Sequence, residues 1–258
     1  MITTELREGA IGFTQSPTLL HGEYGTGKTL LAAQYPKPYF LMCESNEEYR
    51  HKLHYDNATS WDVACEHILS FLSDKHDFKT FVVDNIANFY DLASTKLIIE
   101  HNKKLKKDEE PVATLSDFPF VKGYEAVDAM IKTSLNPLLM TPNFNLILIA
   151  HSAEHEVKML NGDTYFKIIP SLPNKRARKY FLDLTPNIFY YFFSKQQRYI
   201  RITQNDFIMA KNRGGDNFKT VDGREIVNVP AGKSPEEAFK YLTAAYNNKL
   251  KNDYAGVV

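Results

Sequence analysis

Cysteine is scarce in this sequence, and long apolar runs are missing. The only cysteines, Cys43 and Cys65, form no CxxC pair and no metal-ligand spacing, which leaves no cysteine-built metal site and points to a reducing compartment. The longest apolar stretches, residues 144–150 and 188–193, fall far short of the roughly 20 residues a membrane helix needs. A soluble protein with no membrane partner is therefore expected. The opening residues, Met1-Ile2-Thr3-Thr4-Glu5-Leu6-Arg7-Glu8, are charged and lack the apolar core of a signal peptide, so a cytoplasmic location is expected. Neither sign of charge is in excess, with 31 basic against 31 acidic residues. No overall field draws the chain to nucleic acid, and any such binding must come from local patches. There is no internal repeat and no low-complexity segment.

What is present is enough apolar residue to bury one full core, and 258 residues lie at the upper end of what one domain holds. A single domain over 1–258 is the expectation. Strand and helix signals alternate through the first 150 residues, which argues for a parallel sheet with crossover helices. Strands are expected at 18–21, 38–43, 81–84 and 144–150, the last ending at His151; helices are expected at 28–34, from a Thr59-Ser60 cap, at 86–101 and at 123–140. In the helix after Ser60, Val63, Ile68, Leu69 and Leu72 fall near helical spacing. Residues 102–111 read as an exposed loop. Beyond them the pattern changes to short strands at 188–193, 198–203 and 206–210 joined by polar turns, as in hairpins extending one sheet edge. Ser234-Pro235-Glu236-Glu237 is a capping box with proline at the first helical position, opening a final helix over about 234–249.

The most specific motif is Gly22-Glu23-Tyr24-Gly25-Thr26-Gly27-Lys28-Thr29, followed by Leu30, between a strand and a helix. In GxxxxGK[ST] the glycines let backbone N–H groups converge on phosphates, the lysine neutralises the β- and γ-phosphates, and the hydroxyl of the last residue binds Mg2+. ATP and Mg2+ are the ligands expected. Asp84, ending a hydrophobic strand downstream of this loop, is the carboxylate expected to reach the metal. Glu44, at the end of the strand after the loop's helix, is the candidate for deprotonating an attacking water; the plainer alternative is a solvated loop acid beside Glu47 and Glu48. His151, at the end of the strand following that of Asp84, is placed to touch a γ-phosphate, or is simply a packed histidine. Lys211 and Arg213, in Ala210-Lys211-Asn212-Arg213-Gly214, can project together toward a phosphate or form an ordinary charged turn.

In this order the motifs resemble the RecA-like branch of P-loop ATPases, which includes the RecA and RadA recombinases, the DnaB-type helicase motor and the phage Sak-type single-strand annealing ATPases. The sequence is most similar to the AAA-type phage group containing the last of these, on Thr59-Ser60-Trp61-Asp62 and Lys79-Thr80-Phe81-Val82-Val83-Asp84-Asn85-Ile86. The resemblance covers about residues 15–215 and implies an α/β fold: a mostly parallel central sheet flanked by helices, with antiparallel strands added near the C-terminus. It implies that Glu44 is catalytic, that His151 senses the γ-phosphate, and that Lys211 or Arg213 acts on the nucleotide of a neighbouring subunit. It also implies single-stranded DNA as a partner, self-association into a ring or filament, a single-strand-binding protein as a further partner, and the bacterial host cytoplasm as the location.

Two stretches match DNA-contacting loops of that branch. Residues 102–122 carry Lys103, Lys104, Lys106 and Lys107, and residues 152–178 end on Lys175, Arg176 and Arg178, with Tyr165 and Phe166 available to stack on bases. Solvated charge is the alternative, since Asp108, Glu109 and Glu110 offset the first cluster, and for the second the alternative is the start of a helix. The aromatic residue or Asn that often follows Lys-Asn-Arg in the family is replaced here by Gly214. Two other functions share a P-loop at this size, a small-molecule kinase and a nucleotide-dependent switch. The first wants an Arg-rich lid, and a GTPase form of the second wants an acid that Asn174-Lys175-Arg176-Ala177 lacks.

Overall fold

The computed structural model describes residues 12–44, 53–141 and 144–257. Residues 1–8, Ser45, Glu47 and Glu48, which entered the sequence reading, lie outside them. Among the described residues the strands are β1 (Thr18–Gly22), β2 (Pro38–Met42), β3 (Tyr55–Asn57), β4 (Thr80–Asp84), β5 (Asn145–Lys158), β6 (Thr164–Pro170), β7 (Asn187–Ser194), β8 (Gln197–Arg201) and β9 (Asn228–Pro230). They form one sheet in the order β3-β2-β4-β5-β1-β7-β8-β9, with β6 paired to β5 alone. The block from β3 to β7 is parallel, and β8 and β9 continue it antiparallel. This is the α/β architecture the sequence implies.

Helices cover both faces, so the central strands are apolar on both sides rather than alternating with polar residues. Leu19, Leu41, Phe81, Val83, Leu146 and Leu148 face α2 (Trp61–Ser73), α3 (Ile86–Asn102), α4 (Lys122–Met140) and α5 (Lys175–Leu184). Their neighbours Leu20, Phe40, Met42, Val82, Ile147 and Ile149 face the layer of α1 (Lys28–Ala32) and α6 (Pro235–Tyr246). Each such side chain, fully buried, contributes on the order of 1.5–3 kcal/mol relative to exposure, and a register slip of one residue would exchange the two cores.

Several boundaries differ from the sequence reading. β5 does not end at His151: it runs on to Lys158 and pairs with β6 from Ser152↔Pro170 to Lys158↔Thr164, so the stretch expected as a loop is a long hairpin. The apolar run stops at Ala150, but the period-two alternation of Ala153, His155 and Val157 with charged residues continues, and Asn161-Gly162, with Gly162 at φ +91°, supplies the turn. Residues 206–210 form no ladder strand; they bridge Ile208 to Ile168 and, just beyond, Lys211 to Ile188. The short β3 and β9 were not expected. α2 starts behind Ser60, whose side chain accepts from the Val63 N–H, but it buries Trp61, Ala64, Ile68 and Phe71 and leaves Leu69 63% exposed. α1 stops at Ala32, where tighter bonds from Gln34 and Tyr35 back to Leu31 and Ala32 close the turn. α6 ends at Tyr246, short of residue 249.

Candidate functional site

β1 is buried along its whole length and delivers the chain to the loop at Gly22. A Cβ on Gly22 would run into the Tyr191 carbonyl oxygen of the neighbouring strand, so β1 and β7 lie side by side here only because this residue is glycine. Gly27, at φ +101°, turns the backbone into α1 through the left-handed region. Between them Thr26 is buried, and its hydroxyl donates to the Glu23 carbonyl at 3.0 Å.

Lys28 is only 6% exposed. Its Nζ donates to the Gly22 carbonyl at 2.9 Å and the Glu23 carbonyl at 2.7 Å. Burial lowers its pKa to about 8, against the opposing pull of Asp84, Glu44 and Glu23. The Thr29 hydroxyl donates to Asp84 Oδ2 at 2.6 Å. Burial raises the Asp84 pKa to about 6, a shift moderated by that hydrogen bond and by Lys28. Hydroxyl and carboxylate form an oxygen pair of the kind a hard divalent cation takes.

Glu44 stands beside this pair. Its Oε2 accepts from Asn85 Nδ2 at 2.7 Å, while Asn85 Oδ1 caps α3 by accepting from the Asn88 N–H at 3.0 Å. His151 Nε2 is 3.6 Å from the same Glu44 oxygen, too far for a hydrogen bond. Neither His151 ring nitrogen has a hydrogen-bond partner among the described residues. Burial, then Lys28, lowers the His151 pKa while Glu44 works against both. The exposed Tyr24 ring stacks on it with centroids 3.7 Å apart and planes at 22°. One cleft is lined by Tyr24, Gly25, Gly27, Lys28, Thr29, Leu30, Met42, Glu44, Asp84, Ile149 and His151. It lies at the C-terminal ends of β1, β2 and β4 and beside His151 of β5, so the structure brings these sequence-expected residues together.

Sequence reasoning missed the supports. Asn85 was legible only as the neighbour of Asp84, and Tyr24 as a member of the nucleotide-binding loop with no stack on His151 foreseen. His21, the residue before the loop, is fully buried and its pKa falls to about 3, chiefly through burial. Its Nε2 lies 2.8 Å from the Met209 carbonyl and must carry the proton, so Nδ1 accepts from the Ser152 hydroxyl at 2.9 Å. One neutral imidazole thus ties β1 to the residue after His151 and to the segment leading to Lys211.

A family model described as an AAA domain matches residues 16–214. This chain belongs to the AAA domain family. Its fold is similar to two solved structures: the flagellar accessory protein FlaH from Methanocaldococcus jannaschii, at 9% identity over 83% of this chain and 84% of that one with a TM-score of 0.39, and the RadB recombinase, at 14% identity over 72% and 79% with a TM-score of 0.38. No curated protein matches it. No helix among the described residues of this AAA-domain chain is long and apolar enough to cross a membrane.

The remaining expected residues stand apart from the cleft. Lys211 pairs with Ile188, which is level with Leu19, so it sits three residues, about 10 Å, down the sheet from Gly22. Its Nζ donates to the Leu182 carbonyl near the end of α5 at 2.7 Å, and the exposed Arg213 follows it toward the same end. Lys103, Lys104, Lys106 and Lys107 are exposed beyond the end of α3. There His101 packs on Phe118, and Phe118 crowds Gly123 near the start of α4. Lys175, Arg176 and Arg178 belong to the first turn of α5, capped by Asn174, rather than to a loop. Arg176 pairs with Glu125 in the first turn of α4 at 3.0 Å. Burial lowers the Arg178 pKa, and its Nε has no hydrogen-bond partner among the described residues. The two basic stretches, distant in sequence, therefore both approach the start of α4.

Proposed function

We propose that the chain is a RecA-like ATPase that hydrolyses ATP with Mg2+ and acts on single-stranded DNA in recombination or replication, as an oligomer whose nucleotide sites are completed by neighbours. The observation that carries this reading is the meeting in one cleft of Lys28, the Thr29–Asp84 pair, Glu44 and His151. Thr29 and Asp84 would hold Mg2+, which would supply charge neutralisation at the phosphates. Lys28 exchanges its two loop carbonyls for phosphate oxygens, which restores the partners that burial demands of its charge. Glu44, oriented by the Asn85 amide, accepts a proton from the attacking water. His151 donates from a ring nitrogen to the terminal phosphate and holds its orientation through the Tyr24 stack.

Lys211 is occupied at the end of α5, so the trans role falls to Arg213, which offers a guanidinium to the nucleotide of the adjacent subunit. The DNA surface is the basic zone at the start of α4, formed by Lys103, Lys104, Lys106, Lys107, Lys175 and Arg178, with Tyr165 and Phe166 of the β5–β6 hairpin as stacking rings. A phage origin, the host cytoplasm and a single-strand-binding protein as partner belong to the same reading. A small-molecule kinase fits less well: its lid would have to come from α5, which Asn174 to Tyr90 and Arg176 to Glu125 fasten to α3 and α4.

Single-stranded DNA is expected to raise ATP turnover at least severalfold and to bind in a salt-dependent manner. Turnover indifferent to DNA, with no binding at low salt, would remove DNA from the proposal.

A further inference from the structure

Beyond the loop and the start of α1, the cleft described above is lined by residues at the ends of β2 and β4 and in β5. The other neighbour of β1 is β7, and there the surface has a different chemistry. Tyr191 lies against the loop, with Cε1 3.7 Å from where a Cβ on Gly27 would stand. Two residues further along the same face, about 7 Å on, is Phe193. Its ring is 50% exposed, unusual for a strand residue whose neighbours Tyr191 and Phe192 are buried. Directly across the ladder stands Arg198, its guanidinium carbon 5.0 Å from the centroid of that ring. Arg198 Nε is buried and has no hydrogen-bond partner among the described residues.

The turn joining the two strands reinforces the contrast. Two-residue hairpin turns with both residues at positive φ are normally Asn-Gly or Gly-rich. Here Lys195 and Gln196 take those conformations at φ +47° and +63°, so two long polar side chains are kept at a strained turn on the rim. The far wall of the groove is Lys233 and Tyr241. Lys195, Arg198 and Lys233 face one acid there, Glu237, which already accepts from the Lys233 backbone N–H at 2.7 Å.

We infer that Phe193, backed by Arg198, is the platform on which the planar base of the bound nucleotide stacks. An exposed aromatic ring joined to a guanidinium, set in a cationic groove beside a phosphate loop, matches a π-system tethered to phosphates. The catalytic groups take the terminal phosphate on one side of the loop, and the nucleoside leaves on the other. The inference rests on the triphosphate reading of the loop.

Affinities of ATP and of inorganic tripolyphosphate, measured side by side for the wild type, Phe193→Ala and Phe193→Leu, separate the two. Wild-type protein binds both ligands. Phe193→Ala weakens ATP about tenfold or more, the scale of losing one base–aromatic stack, and leaves tripolyphosphate within twofold. Phe193→Leu, which keeps apolar bulk and guards against misfolding, weakens ATP in the same direction. Unchanged ATP affinity in both variants, or an equal loss for both ligands, overturns the base platform. A wild type that binds neither ligand overturns the triphosphate reading itself.

Discussion

Lys28 and Asp84 are each held against the protonation state that burial favours, one with its pKa brought down to about 8 and the other brought up to about 6. Asp84 binds its proton more tightly folded than unfolded, so the stability it lends is present in acid and lost as pH rises through about 6. Lys28 binds its proton less tightly folded, so its contribution is present at alkaline pH and lost as pH falls through about 8. Between these values both groups are charged despite their burial, a cost that the triphosphate and cation of the proposed reaction would relieve. Nucleotide affinity, followed with a fluorescent analogue, should therefore climb from pH 5 to about 6.5, level off, and decline above about 8. A flat profile from pH 5 to 9 would contradict these assignments. Glu44→Gln can still accept from Asn85 but cannot take a proton from water, so turnover should fall by about a hundredfold or more with nucleotide affinity kept. Unchanged turnover would take Glu44 out of the mechanism and favour a switch.

At the level of strands and helices, the positions that matter are those where two backbones meet or a helix begins. Gly22→Ala sets a methyl against the Tyr191 carbonyl and should destabilise the fold by about 1–3 kcal/mol, with loss of nucleotide binding. Ser60→Ala removes the cap of α2 and should cost about 1 kcal/mol with binding intact. Urea melts paired with nucleotide titration distinguish the two, and equal effects on binding would mean that the β1–β7 contact is not what shapes the loop. Much of this was readable in the sequence. The glycines and the Lys-Thr pair fix the loop through local backbone needs, and Asp84 and Glu44 follow from where apolar runs stop. The β5–β6 hairpin is hidden in the sequence because the hydrophobic run stops at Ala150 while the strand goes on, although Asn161-Gly162 marks a turn ten residues beyond His151. The His21 hydrogen bonds to Ser152 and Met209, the Tyr24–His151 stack and the approach of the two basic stretches depend on contacts between distant segments. Spacing along the chain carries no trace of them.

For the whole molecule, the separation of Arg213 from its own cleft makes a requirement testable by mixing. Lys28→Ala leaves Arg213 intact while disabling its own site, and Arg213→Ala does the reverse. Combined, the two inactive variants should turn over ATP faster than either alone, because mixed contacts pair a sound cleft with a sound guanidinium. No recovery at any ratio would place Arg213 outside the site. One last consequence belongs to β5, a single unbroken strand whose first six residues are buried in the core and whose last eight are half-buried or exposed. From His151 to Lys158 it spans about 24 Å. Given the rise of an extended chain, a tilt of about 5° at His151 would carry the end of this arm by about 2 Å. A small shift of His151 in the cleft would therefore read out most strongly at Met159 and Leu160, where the two strands of the arm meet.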